Sequence, residues 1–189
     1  MKKIKTFTFI TLILALTFLL LFPSCQKAPS EGGDKTLVIY NWGQYISTGE
    51  DGTMDIIGKF EEKTGYTVVY REFESNEELY GLLKNGAVKA DLIIPSDYMI
   101  SRLIDEDMLQ KIDTTKISNY NNLMPEFLGK EYDPNNEYSV PYTWGTVGLI
   151  YNTKMVTKPV DSWDILWDPT YKGQVLMFRN PRDAFAIAE

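Results

Sequence analysis

Thr36-Leu37-Val38-Ile39-Tyr40 is a nearly continuous apolar run, and the way it is read decides the fold. A strand with one wet face alternates apolar and polar residues. A strand covered on both faces does not, so this run predicts a strand inside a parallel sheet. Downstream, Met54, Ile57 and Phe60, with Ile56 beside them, share one face of a predicted helix that ends at Lys63-Thr64-Gly65, where glycine suits a left-handed C-cap. Residues 66–73 are rich in β-branched and aromatic side chains and predict a second strand. Ser75-Asn76-Glu77-Glu78 has the spacing of a capping box, in which Ser75 and Glu78 satisfy each other's free amides. The helix it opens carries Leu79, Leu82 and Leu83 inward and closes at Gly86. Residues 90–95 predict a third strand, and Ser96-Asp97 cap a third helix with Ile100, Leu103, Ile104 and Met108 inward. Strand and helix in strict alternation predict an α/β fold with a doubly wound parallel sheet. Ligands of such sheets bind beyond the carboxyl ends of the strands.

The remainder is less regular. Residues 112–141 are polar, with Asn and Pro clusters, and read as a meandering surface segment. Residues 144–152 (WGTVGLIYN) predict another strand, Ser162-Trp163-Asp164 opens a short helix, and residues 174–178 (QVLMF) predict a further strand. A last helix starts at Pro181, where proline is tolerated in the first turn. The sequence stops within it, after only two strands of what reads as a second, incomplete sheet.

Ahead of the first strand, Lys2, Lys3 and Lys5 form a basic start and residues 7–22 an apolar run broken only by threonines, followed by Pro23-Ser24-Cys25. A basic start, an apolar core and a small residue at the cut site are the parts of a secretory signal. A retained membrane helix needs about 20 apolar residues, more than this run supplies. Cys25 is the only cysteine, so no internal disulfide is possible. Its setting resembles the lipobox of bacterial lipoproteins, with Phe22 where leucine is usual; an unmodified cysteine is the plainer alternative. Two or more acyl chains on that residue would anchor the protein stably, whereas one gives only marginal binding. Residues 26–35 (QKAPSEGGDK) have the composition of a flexible tether. Loss of residues 1–24 removes three lysines and no acid, making the net charge more negative than the −7 of the whole chain. An acidic chain without histidine argues against nucleic acid and fits a cationic ligand.

Catalytic groups are scarce. The chain has no histidine, its one thiol lies in the leader, and neither a glycine-rich phosphate loop nor a metal-ligand cluster stands out. Binding is therefore the favoured class, with no cofactor expected. Three loops that follow strands are loaded with aromatic and polar residues: Asn41-Trp42-Gly43-Gln44-Tyr45, Ser96-Asp97-Tyr98 and Arg179-Asn180-Pro181-Arg182-Asp183. Aromatic faces attract organic cations, and a carboxylate completes a cage by accepting charge-assisted hydrogen bonds. Each loop also has a plainer explanation. Trp42 and Tyr45 suit a core, Ser96 and Asp97 suit helix caps, and Asp183 suits the first turn of a helix.

Tyr40-Asn41-Trp42-Gly43-Gln44-Tyr45, Glu74-Ser75-Asn76-Glu77, Ile94-Pro95-Ser96-Asp97-Tyr98, Asp133-Pro134-Asn135-Asn136 and Pro141-Tyr142-Thr143-Trp144-Gly145 together resemble the spermidine/putrescine-binding proteins of ABC importers. The resemblance runs from Thr36 to the end of the chain. It implies a periplasmic-binding-protein type II-like fold: two α/β lobes joined by crossover strands, closing on a polyamine and presented to a permease, in a protein about twice this length. Lobe two would then be truncated here. By position, Trp42 and Tyr45 match cage residues, and Ser96 and Tyr98 match polyamine contacts. Gln44 stands where some members place an acid, Asn180 where one has Asp, and Asp183 where the family has a Glu carboxylate. Trp144 falls near the first crossover and suits packing better than the cleft. The domain expectation is a signal peptide at 1–24, a lipidated cysteine and tether at 25–35, lobe one at 36–143 and the start of lobe two at 144–189. The partners implied are a polyamine, ABC permease subunits and, through Cys25, the membrane. A rival keeps the fold and holds a sugar, or ferric iron through the chain's abundant tyrosines; an enzyme would need a catalytic group from elsewhere.

Overall fold

Residues 35–189 are described by the computed structural model, and β1 (Thr36–Trp42) forms where the apolar run stands. The leader, Cys25 and all but the last residue of the tether lie outside the described residues. β1 is flanked by β2 (Thr67–Phe73) and β3 (Leu92–Ile93), both parallel to it, in the order β2-β1-β3. A central parallel strand keeps no wet face, and accordingly Val38 and Tyr40 are buried on one side and Asn41 on the other. The register places Thr36 opposite Thr67 and Trp42 opposite Phe73, so β1 and β2 end level.

β3 is shorter than the predicted 90–95. The ladder holds through Asp91 N–H to Val38 O and Ile94 N–H to Tyr40 O, both 2.9 Å, and then meets Pro95, which has no N–H to offer. At its other end the Asp91 carboxylate turns back to accept Val38 N–H at 2.8 Å. The core gathers behind these strands: Val38, Tyr40, Phe73 and Leu79, with Val69, Leu82, Leu83, Val88 and Ile93 packed on them.

α1 (Ile56–Thr64) starts after Asp55, whose side chain accepts Gly58 N–H at 2.8 Å, and ends at Gly65 with φ 71°, the left-handed cap expected. Its stripe departs from the expectation. Met54 precedes the carboxylate cap and so lies outside the helix, while Ile56 and Phe60 stay exposed because no described element covers them. α2 (Asn76–Lys84) has half of its capping box: Ser75 Oγ accepts Glu78 N–H at 3.2 Å, but the Glu78 carboxylate reaches Glu74 N–H at 2.9 Å instead of Ser75. Leu79 is fully buried, and Ala87 N–H to Leu82 O closes the helix beside Gly86. α3 (Asp97–Asp105) buries Ile100 and Leu103 as expected, and Met99 as well.

Residues 112–141 carry only short 3₁₀ turns, yet they are not all surface, because Asp133 and Asn136 are buried. The Asp133 carboxylate accepts the backbone N–H groups of Glu137 (3.0 Å), Tyr138 (3.0 Å) and Ser139 (2.8 Å) and the Ser139 hydroxyl (2.8 Å). Asn136, at φ 50°, accepts Gly129 N–H at 2.8 Å. A polar cluster that reads as solvated is therefore an internal staple.

The strands predicted at 144–152 and 174–178 do not form. Both segments run without a ladder partner among the described residues, and Ile150 and Leu176 are almost wholly exposed. Apolar, β-branched composition favours a strand only when a neighbour accepts its hydrogen bonds. The short helix after Ser162 is a 3₁₀ helix, Trp163–Trp167, capped by Ser162 Oγ accepting Asp164 N–H at 3.0 Å. α4 (Pro181–Ala188) has proline in its first turn. None of the helices in the described residues is long and apolar enough to cross a membrane.

Candidate functional site

Because the strands are parallel, their carboxyl ends deliver Trp42, Phe73 and Ile93 to one edge of the sheet, and the loops beyond them meet there. At that edge lies an open groove of about 2380 Å³. Trp42, Tyr45, Ser96, Tyr98, Asn180 and Asp183 all line it, six of the seven residues expected from the sequence. Gln44 does not. Its backbone takes the left-handed φ of 62°, and the side chain is exposed.

Trp42 is half-buried, with its ring 4.6 Å from that of Phe73 and 6.3 Å from that of Tyr45. It packs against Phe73, a core residue, and also lines the groove. Tyr45 is 48 % exposed, and its backbone carbonyl accepts the Tyr142 hydroxyl, which ties the loop after β1 to the segment after residue 141. Trp144 also lines the groove, resting its ring 5.4 Å from Phe127 with most of its surface free.

Ser96 is the N-cap of α3, yet its side chain makes no capping bond. That hydroxyl instead accepts Asn76 Nδ2 at 3.1 Å. Asn76 is 1 % exposed, and no sequence argument had marked it as more than part of a motif. Its Oδ1 accepts Ser96 N–H at 3.0 Å and its Nδ2 donates to the Tyr98 hydroxyl at 2.7 Å, so one amide fixes two groove residues at the start of α3. The available signal was its place directly after the Ser75 cap, within Glu74-Ser75-Asn76-Glu77. The Tyr98 hydroxyl in turn donates to Glu77 Oε1 at 3.4 Å. Burial pushes the Tyr98 phenol above its ordinary pKa, and the Glu77 charge adds to this against the opposing effects of the Asn76 bond and Arg182. Tyr98 thus stays a neutral hydroxyl at working pH.

Asn180 and Asp183 come from the start of α4. Asn180 Nδ2 donates to Asp183 Oδ2 at 2.6 Å, which orients the carboxylate, while Asn180 Oδ1 is buried with no hydrogen-bond partner. Asp183 also sits in the first turn of α4, where its charge is favourable in any case. Charges of both signs also line the groove, among them Glu74, Asp97, Lys130 and Arg179. Among the described residues no group of three or more His, Cys, Asp or Glu side chains is placed to hold a metal ion.

The family model described as bacterial extracellular solute-binding protein matches residues 55–189. The spermidine/putrescine-binding periplasmic protein of Escherichia coli (strain K12) is 41% identical over 167 residues, which is 86% of this chain and 46% of that protein. A solved structure from Listeria monocytogenes is 40% identical with a TM-score of 0.75, covering 81% of this chain and 46% of that chain. A solved lipoprotein of Treponema pallidum is 35% identical with a TM-score of 0.63, covering 71% of this chain and 40% of that one. The chain therefore spans about half the length of the curated relatives it matches. A parallel α/β sheet with its groove at the strand ends, a family match over most of the sequence and shared fold with these structures agree: the chain belongs to the bacterial extracellular solute-binding proteins.

Proposed function

We propose that this chain is part of an extracytoplasmic, lipid-anchored protein that captures a polyamine, spermidine or putrescine, for the permease of an ABC importer, and that it catalyses no reaction. One observation carries the reading: three aromatic rings, Trp42, Tyr45 and Tyr98, share a groove with Asp183. A polyamine is a chain of methylenes between ammonium groups. Rings contact the methylenes and attract the cations, and a carboxylate accepts charge-assisted hydrogen bonds. Support also comes from the Escherichia coli relative, which is named for spermidine and putrescine, and from the Treponema relative, which is a lipoprotein.

On this reading residues 1–24 are a leader, Cys25 carries the lipid, residues 26–35 are a tether, residues 36–143 form lobe one and residues 144–189 begin lobe two. Closure of the lobes around the ligand presents the protein to its permease. Calorimetric titration of the full-length mature protein with spermidine and with putrescine tests the ligand; absence of binding by both at high micromolar concentration defeats it. Trp42→Ala and Asp183→Ala should each weaken binding by about 1–3 kcal/mol. Cys25→Ser should release the protein from the membrane fraction, and retention there would refute the anchor.

A further inference from the structure

Glu74 and Glu77 stand three residues apart around the start of α2, and Arg179 and Arg182 stand three apart around the start of α4. The two sets meet in matching register. Arg179 Nη1 lies 3.1 Å from Glu74 Oε2, and Arg182 Nε lies 3.8 Å from Glu77 Oε1. The Arg182 guanidinium also sits 4.2 Å from the centroid of the Tyr98 ring. Partners are 105 residues apart along the chain, so these contacts join distant segments. What they bracket is specific. Asn76, between the two glutamates, fixes Ser96 and Tyr98, and Asn180, between the two arginines, orients Asp183.

We infer that Arg179 and Arg182 form a two-point latch with Glu74, Glu77 and the Tyr98 ring, which holds the two walls of the groove in register and positions Asn180 and Asp183 for the ligand; the ligand part of this rests on the reading given under Proposed function. Arg182 does not line the groove, so its part is to position. A single exposed ion pair contributes little, and these side chains are largely solvated. Two pairs in register plus a ring contact restrain the same motion together, and each stays weak enough to yield when the walls move or salt rises. A groove that must admit and release its solute requires a fastening of that strength.

The test uses the full chain with Cys25→Ser and spin labels at Lys63→Cys on α1 and Ala188→Cys on α4, both exposed positions. Distances between the labels are read without ligand. Arg179→Glu and Glu74→Arg should each broaden and lengthen the distribution, and the double variant should restore it. Arg182→Gln should broaden it, and Arg182→Lys should not. An unchanged distribution in the single variants, or no recovery in the swap, overturns the latch. Putrescine titration of the same proteins should show affinity about two- to fivefold weaker in the single variants and recovered in the swap. Distances that respond while affinity does not would overturn the positioning role. Distances that respond in a protein whose parent binds neither polyamine would leave the latch standing and sink the polyamine reading.

Discussion

Replacing Asn76 by alanine tests how the groove is held together. Its side chain, 1 % exposed, makes three hydrogen bonds, from Nδ2 to Tyr98 Oη (2.7 Å) and Ser96 Oγ (3.1 Å) and to Oδ1 from Ser96 N–H (3.0 Å). After truncation the Ser96 N–H is left without its acceptor, at a cost of about 1–3 kcal/mol, while the hydroxyls, which can re-aim, lose about 0.5–1.5 kcal/mol each at most. The Tyr98 hydroxyl keeps its longer contact with Glu77, so the sum is about 2–4 kcal/mol. For a domain stable by about 5–15 kcal/mol this is a large fraction, and with an m-value of about 2 kcal/mol/M it lowers the urea midpoint by about 1–2 M. Unfolding is followed by tryptophan fluorescence. A double-mutant cycle with Tyr98→Phe then isolates the Asn76–Tyr98 bond, with an expected coupling of about 0.5–1.5 kcal/mol. An Asn76→Ala loss below about 1 kcal/mol, or no coupling to Tyr98, would refute the view that this amide organises the loop.

Asp133→Ala strips acceptors from three backbone N–H groups and should destabilise by about 3 kcal/mol in the same urea assay, with Asp133→Asn falling between it and the parent. Glu106 receives Lys84, Arg102 Nε at 3.0 Å and Tyr80 Oη at 2.9 Å, and these hold its carboxyl below the ordinary 4.5, at about 2, with Lys84 the largest cause. Its stabilising effect is therefore complete above about pH 4.5 and is lost as pH falls towards about 2, so Glu106→Gln should flatten the acid limb of a stability-against-pH curve in that window. Gly65→Ala meets no atom within 4 Å but must keep φ at 71°, so a loss of about 1–2 kcal/mol in thermal unfolding is expected, from backbone strain alone.

What was legible in the sequence is what short stretches of chain decide for themselves. The apolar run at Thr36, the glycine after Thr64 and the Ser75 cap each express a preference of a few neighbouring residues, and all three appear where expected. The resemblance to solute-binding proteins rested on motifs at strand ends and is borne out by the family match. Less was legible wherever distant segments decide. Gln44 shares a loop with Trp42 and Tyr45, but a left-handed turn takes it off the groove. Residues 144–152 and 174–178 have the composition of strands, yet a strand is a relation between two segments, and no described segment pairs with either. Asp133 is a local case that composition still hides: its four donors lie only four to six residues downstream, but a polar, Asn- and Pro-containing stretch reads the same whether it closes on itself or stays solvated.

Ser96 shows why a cap and a site residue are hard to tell apart from the sequence. Beyond the end of a parallel strand, a serine before a helix faces two sets of partners: the free N–H groups of the first turn, and whatever lies in the groove. In this protein the Ser96 backbone carbonyl accepts the N–H groups of Met99 (3.0 Å) and Ile100 (3.1 Å), which starts α3 without help from the side chain. Asn76, from another helix, then takes both the Ser96 N–H and its hydroxyl. The hydroxyl accepts from Asn76, so its own hydrogen is left to point elsewhere, and Ser96 lines the groove. The difference between a structural serine and a ligand-facing one thus depends on a residue twenty positions upstream, and substitutions at Asn76 should change what Ser96 does without touching it.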